Sequence, residues 1–356
     1  MVAFIKEYNN SDKVGNGYIF FNKLKRKKTI YSHLFADYYA TKIQKSCKIN
    51  KKPTVKVIFT VGVGNNIFQY VYARLLAEHY DLNLSSDTLE VIDTPETKFG
   101  LNKKFKTIYI PPEERNFHQY FSQKFPCNFI VHTYPEDFTL YKPHMNLIRS
   151  WFRDVPKTNT DDLVFHLRLG DRLLHKNDHH PCMKVTPEEY IKAIDLFDFD
   201  RLYIVTDMKV WKKVTPEEIK KMKFHTDVPQ EWRVEPSIAA SYFNSLFDAF
   251  NELDPIVRIG HPVKDDFNFM RSFDKIMLQH GTLSWWAAAL SHASKVGVFG
   301  PWRPIGGEKN RNLGQTDFEG WFQWGNERMD TSAFSLDRVG SNTKTSKSFL
   351  SRIWRS

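Results

Sequence analysis

The sequence predicts an α/β fold built on parallel strands, and three stretches carry that prediction. Leu163-Val164-Phe165 is a short apolar run that changes abruptly into His166-x-Arg168-x-Gly170-Asp171. A buried strand ending in an imidazole, a guanidinium, a glycine and a carboxylate is built like the carboxyl end of an α/β strand, where ligands bind. Val55 to Phe59 is a second such strand, running through Gly62 and Gly64 into a segment of helical periodicity. Arg201 to Val205 is a third, and it delivers Thr206 and Asp207 at its end.

The elements follow in order. Residues 1–52 are polar and basic and read as a peripheral segment, with a helix around His33 to Lys45. Pro53 punctuates, and the strand Val55–Phe59 enters the turn Val61-Gly62-Val63-Gly64-Asn65-Asn66. Ile67, Tyr70, Val71, Leu75 and Leu76 recur at helical spacing, predicting a helix from Ile67 to about Tyr80. Strand, glycine turn and helix in succession aim backbone N–H groups at an anion, although glycines so spaced also occur in plain tight turns. Between 81 and 160, Leu89–Ile92, Thr107–Ile110 and Phe129–His132 read as short strands, His144–Arg153 as a helix, and Pro156–Asp162 as a linker between halves.

The second half opens on Leu163. His166 and Arg168 share one side of the strand by alternation, Gly170 lets the backbone turn, and Asp171 can hold the turn or orient Arg168. The functional reading is an anion site in which Arg168 forks onto a phosphate or carboxylate; the alternative is a structural Arg–Asp pair. The loop Leu174–Cys182 holds His175, His179 and His180, open to three readings: a metal site, a loop over an active site, or surface histidines without a role. Thr186-Pro187-Glu188-Glu189 is a helix start, and Pro216–Lys223 and Pro236–Glu252 read as further helices. Asp265-Asp266 begins a helix predicted to carry Phe267, Met270, Phe273, Ile276 and Met277, with Asp266 either a cap or a base-binding carboxylate. Gly281-Thr282-Leu283-Ser284-Trp285-Trp286 leads into a small-residue helix; hydroxyls and free N–H groups there suit a diphosphate, or serve as a plain cap. Val296–Phe299 reads as the last strand of the second sheet, and Asp330–Ser356 as a Ser-, Thr- and Lys-rich tail.

Composition narrows the partners. With 41% hydrophobic and 26% charged residues, the 356-residue chain is globular and long enough for two domains. A formal charge of +10 favours an anionic partner and allows nucleic acid, a membrane surface or a nucleotide-sugar. Part of that excess lies in the run Lys23–Lys28, which reads as a solvated surface, and no basic-aromatic module supports nucleic acid. Cys47, Cys127 and Cys182 are too few and too scattered for a disulfide framework or a metal pattern, which fits a reducing compartment. No apolar run is long enough for a transmembrane segment, so the expectation is a soluble, cytoplasmic protein.

Three stretches, in order, resemble motifs of the α-1,2-fucosyltransferase family: Gly62-x-Gly64-Asn65-Asn66-x-Phe68-Gln69-Tyr70, His166-x-Arg168-x-Gly170-Asp171, and Leu283-Ser284-Trp285-Trp286-Ala287-Ala288 set after Asp266-Phe267-x-x-Met270. The related α-1,6- and protein O-fucosyltransferases carry versions of the central motif. The resemblance implies a GT-B-like fold of two Rossmann-like domains facing across a cleft, with 53–158 on the acceptor side, 159–330 binding the nucleotide-sugar, and 1–52 and 331–356 outside them. It implies GDP-fucose as donor, a glycan acceptor, inversion at the anomeric carbon, and no metal or other cofactor. By position, Arg168 would grip the β-phosphate and His166 would contact the nucleotide. Gly64 and Asn65 would approach the diphosphate and fucose. Asp266 would be a candidate for the guanine edge, Thr282 and Ser284 for the phosphates, and Asp207 a further donor-site candidate. Asp171, His175 and Asp178 all stand open as the base. Four positions depart from the family pattern: Leu169 stands where a second arginine is usual, Asn66 where a glutamine is expected, and His280-Gly281 where asparagine–serine is more usual.

Overall fold

The computed structural model describes residues 51–60, 62–176, 185–224, 228–279, 281–300 and 315–325. The expected N-terminal helix, His179, His180, Asp178, the exit loop after Phe299 and the C-terminal tail lie outside them. The described residues fall in one compact unit ending at Gly325 and contain two wholly parallel sheets.

The first sheet is built from β1 (Thr54–Val57), β2 (Asn83–Ser85), β3 (Thr107–Ile110) and β4 (Asn128–Val131), in the order β2-β1-β4-β3. Helix α1 (Val63–Tyr80) joins β1 to β2, and the short helices α2 (Phe138–Tyr141) and α3 (Met145–Ser150) follow β4. Helix α1 begins four residues before the expected start, so Gly64, Asn65 and Asn66 form its first turn rather than a loop ahead of it. Gly62 caps it with φ 89°, a conformation open to glycine. Leu89–Ile92 is not a strand: Glu90–Ile92 is a single 3₁₀ turn, closed by Asp93 in the left-handed region. The true neighbour of β1 is Asn83–Ser85, too short and polar to stand out by periodicity.

The second sheet contains β5 (Asn159–Leu167), β6 (Leu202–Thr206), β7 (Ile256–Arg258), β8 (Phe273–Leu278), β9 (Lys295–Phe299) and β10 (Trp321–Trp324). Its helices are α4 (Pro187–Ile194), α5 (Pro216–Lys221), α6 (Pro236–Asn251), α7 (Val263–Arg271) and α8 (Thr282–Ala289). Helices α4 and α5 both start at a threonine capping box with proline in the first turn. The strand order β10-β9-β8-β5-β6-β7 is that of a doubly wound sheet begun at β5: the chain steps out through β6 and β7, returns to the other flank of β5 as β8, and steps out again. The strand order therefore reverses between β5 and β8, which places a crevice at their carboxyl ends.

Three expectations are corrected here. Phe273, Ile276 and Met277 belong to strand β8, because the helix ends at Arg271. The segment read as a linker is partly strand, since β5 begins at Asn159 and shifts register against β8 before Leu163. Strand β9 is not the last: Trp321–Trp324 adds an edge strand parallel to it, with the Trp324 indole donating to Leu278 O at 3.0 Å.

One apolar core runs through both sheets. Phe68 of α1 stacks on Trp285 with ring centroids 5.5 Å apart and meets Trp286 edge-on at 4.9 Å, while Phe138 and Tyr141 of α2 close the same cluster. Both tryptophans are buried. Burying each such ring is worth about 1.5–3 kcal/mol, so the aromatic plug fixes the start of α1 against the start of α8. Arg149 of α3 reinforces the junction by donating to Ala289 O at 2.8 Å.

Candidate functional site

The carboxyl end of β5 carries His166, and Arg168 and Asp171 follow it. The Arg168 guanidinium sits between two carboxylates, with Nη2 3.4 Å from Asp171 Oδ1 and Nε 4.0 Å from Asp207 Oδ2. Asp207 follows β6, the next strand, and accepts from the Leu169 backbone N–H at 2.8 Å. The residue between them is glycine, and a Cβ there would lie closer than 3.0 Å to Asp207 Oδ2 and Cγ, so a side chain at 170 would push the Asp207 carboxylate out of its place. Leu169 is fully buried and contributes only its backbone N–H.

Neither carboxylate uses up the arginine. The 3.4 Å contact to Asp171 is weak by geometry, Nε makes no hydrogen bond, and the guanidinium side chain is 28% exposed. The Asp207 side chain is 40% exposed. Protein atoms crowded around its carboxylate still raise its pKa, opposed by the Arg168 charge and the Leu169 amide. The arrangement is an oriented guanidinium with free donors facing a crevice, which is what binding an anion requires.

His166 is buried, and its ring lies against Gly281, where a Cβ would come 3.5 Å from Cε1. Its Nδ1 has no hydrogen-bond partner among the described residues. Burial, assisted by the Arg168 charge, lowers its pKa to about 3, so the imidazole is neutral at working pH and can offer hydrogen bonds but no charge. Unfolded, it titrates near 6.5; the unfolded chain therefore holds the extra proton between pH 6.5 and 3, and stability must fall as pH drops through that window. His132, at the carboxyl end of β4, behaves alike: burial lowers it to about 4, and its Nδ1 is 2.6 Å from Tyr109 OH. Each buried neutral histidine costs up to about 1.4 kcal/mol per pH unit below 6.5. We expect urea unfolding to show lower stability at pH 5 than at pH 7 and the His166 ring resonances to stay constant from pH 5 to 8; a His166 titration within that range would contradict its burial.

The N-termini of α1 and α8 meet beside this cluster. The Thr282 hydroxyl donates to Asn65 Oδ1 at 3.0 Å, joining positions 217 residues apart. A Cβ on Gly64 would lie closer than 3.0 Å to Leu283 N, Thr282 Oγ1 and Thr282 C, so only glycine allows the two helix starts to touch. Ser284 is fully buried and donates to Gly281 O at 3.1 Å. Each helix start carries partial positive charge from unpaired N–H groups, so two of them and one guanidinium converge where the strand order of the second sheet reverses.

Most of the expected site residues therefore come together: Gly64, Asn65, His166, Arg168, Asp171, Asp207, Thr282 and Ser284. Asp266 stands apart. It is no helix cap, since it lies in the first turn of α7 behind Pro262, and it pairs with Arg258 at 3.2 Å. Arg258 in turn lies 4.0 Å over the Phe269 ring. Burial raises the Asp266 pKa and Arg258 opposes the shift. Of the base candidates, Asp171 is held by Arg168, and His175 is buried in a bridge to Arg233.

Sequence reading missed the clamp under the β1–α1 turn. Asn66 Oδ1 and Gln69 Oε1 each accept from Thr60 N at 3.1 Å, and Gln69 Nε2 donates to Ile58 O at 2.9 Å. It also missed His132, although the rule that singled out His166, a buried strand ending in an imidazole, applies to Phe129–His132 as well. Among the described residues no group of three or more His, Cys, Asp or Glu is arranged to hold a metal ion, and no helix is long and apolar enough to cross a membrane.

Fold and site together define an α/β protein with two parallel sheets and a candidate anion site at a doubly wound switch point. No protein-family model matches the chain, and no curated protein does. Among solved structures it is similar to a mutant of Arabidopsis thaliana FUT1 in complex with GDP, at 12% sequence identity and a TM-score of 0.40, over 76% of this chain and 75% of that one.

Proposed function

We infer that the protein is a glycosyltransferase, and within that class an inverting, metal-independent fucosyltransferase of the α-1,2 type that uses GDP-fucose. The observation that carries the reading is the convergence of three motifs far apart in sequence. Asn65, Thr282, His166 and Arg168 meet at one crevice, held by a 3.0 Å hydrogen bond and two glycine contacts that a methyl group would break.

The chemistry follows from the residues. The acceptor hydroxyl oxygen attacks the anomeric carbon, the bond from that carbon to the diphosphate oxygen breaks, and the electron pair leaves with GDP. The hydroxyl proton passes to a base on the acceptor side. The barrier is dominated by charge appearing on the departing diphosphate, and preorganised donors aimed at it are the main source of acceleration. Arg168 supplies the guanidinium, and the starts of α1 and α8 supply backbone N–H groups; the Thr282 hydroxyl, whose one proton goes to Asn65 Oδ1, ties those two starts together and presents its oxygen at the crevice. Asp171 and Asp207 orient Arg168 from opposite sides; Asp207 also pins the turn through Leu169 N. Neutral His166 offers a hydrogen bond to the nucleotide without competing for the positive role. Asp266, in the first turn of α7 and apart from the other residues, is the candidate for the guanine edge and would share its carboxylate with Arg258.

Thermal-shift binding with GDP, GDP-fucose, GDP-mannose, UDP and UDP-sugars, with and without EDTA, tests the reading. Stabilisation by GDP and GDP-fucose, indifferent to EDTA, is the expected result. A response to UDP ligands alone would keep the crevice and remove the fucosyl assignment; dependence on a divalent cation would remove the metal-free chemistry.

A further inference from the structure

The edge of the first sheet opposite the crevice carries a second feature, independent of the reading above. Because the sheet is parallel, the segments entering β1, β3 and β4 all lie at its amino edge. Two buried asparagines knit them together. Asn128 Oδ1 accepts from Thr54 N at 2.9 Å and from Asn102 N at 3.1 Å, while its Nδ2 donates to Asn102 O and Phe105 O. Asn102 in turn donates to Lys51 O at 3.0 Å and accepts from Lys104 N at 3.0 Å, and Asn128 N donates to Lys106 O at 2.8 Å.

From this platform Lys51, Lys103, Lys104, Lys106 and Lys124 project, all exposed, and none forms an ion pair among the described residues. Lys52, on the same edge, is the exception, paired with Asp81 at 2.6 Å. Next to Lys124 stands Phe125, 79% exposed, the most exposed large hydrophobic side chain among the described residues. A single exposed ring needs no explanation by itself. A ring among five lysines that have no ion pair among the described residues, beside loops tied by buried amides, has the make-up of a surface that meets anionic headgroups and inserts an apolar side chain between them.

We propose that the Lys51/Lys103/Lys104/Lys106/Lys124 edge, with Phe125 as its inserting ring, docks the protein peripherally on an anionic phospholipid bilayer. The lysines supply the attraction and the ring supplies the second, apolar anchor that a lasting interfacial contact needs. Nucleic acid fits the edge less well, because a bound strand is tracked by a groove with successive stacking platforms, and this rim offers one ring.

The test uses the full chain without nucleotide, sedimented with vesicles of phosphatidylcholine alone or mixed with phosphatidylserine. Binding to the mixed vesicles only, weakened by salt, is expected. The double variant Lys103→Glu/Lys104→Glu should lower the partition coefficient at least ~tenfold, and Phe125→Ser several-fold, with the thermal melts of both variants unchanged. Because the basic run at 23–28 can attract vesicles without this edge, the two variants decide the matter. If wild type binds and either variant binds equally well, the proposal is overturned. It is overturned too by no binding to mixed vesicles, by equal binding to neutral ones, or by capture of single-stranded RNA that the same variants abolish while vesicle binding persists.

Discussion

On the proposed function, Arg168→Ala should leave a folded protein with only residual turnover of GDP-fucose. The expected loss is at least about 10²–10³ in kcat, the scale seen when one preorganised donor to a developing anion is removed. The fold should hardly notice, because the guanidinium makes only a 3.4 Å contact to Asp171 and a 4.0 Å approach to Asp207. Arg168→Lys retains the charge but not the planar fork, so it should recover part of the rate and little of the geometry-dependent binding. Released GDP measured over time with each variant, beside a thermal melt, separates these effects. Turnover retained in the alanine variant would remove Arg168 from the reaction and with it the assignment of the crevice.

The second large effect is expected at Gly64. In the interior of a helix, alanine normally improves on glycine by up to about 1 kcal/mol, so Gly64→Ala in the first turn of α1 would ordinarily be harmless or stabilising. Here the added methyl group would overlap backbone and hydroxyl atoms of Thr282 and Leu283. Helix backbone cannot give way as a flexible side chain can, so α1 and α8 must separate. We expect destabilisation of about 1–3 kcal/mol, a melting point lower by several degrees, and loss of the stabilisation otherwise given by GDP. Gly260→Ala is the control: φ there is +74°, and a methyl group would meet nothing within 4 Å. It should cost backbone strain alone and leave nucleotide binding intact. A Gly64→Ala protein that melts at or above the wild-type temperature would mean the two helix starts are not in contact.

The site was more legible in the sequence than the sheets around it, for a physical reason. Functional groups stand at the ends of apolar runs, and the abrupt change in chemistry at Phe165–His166 or Val205–Asp207 is local. Strand identity depends on partners far away. Leu89–Ile92 is apolar enough for a strand, yet Asp93 adopts φ 57° and closes a turn instead. Phe273, Ile276 and Met277 continue the helical spacing of Phe267 and Met270, and nothing in the spacing marks the break at Ser272 that turns α7 into β8. Strand β10 was hidden in a Trp- and Gly-rich stretch whose role shows only when Trp324 reaches the Leu278 carbonyl. Pairings such as Arg258 with Asp266, and the need for glycine at 64, are properties of juxtaposition that no local pattern encodes.

The aromatic plug of Phe68, Phe138, Tyr141, Trp285 and Trp286 has a consequence for how such a protein can change. Because these rings come from helices of both halves, α1 and α2 from one and α8 from the other, neither half presents a finished surface of its own. A chimera that takes one half from a protein with different rings at these positions would have to repack the junction before it could form the crevice. New specificities are therefore easier to reach through the loops at the strand ends than by exchanging whole halves.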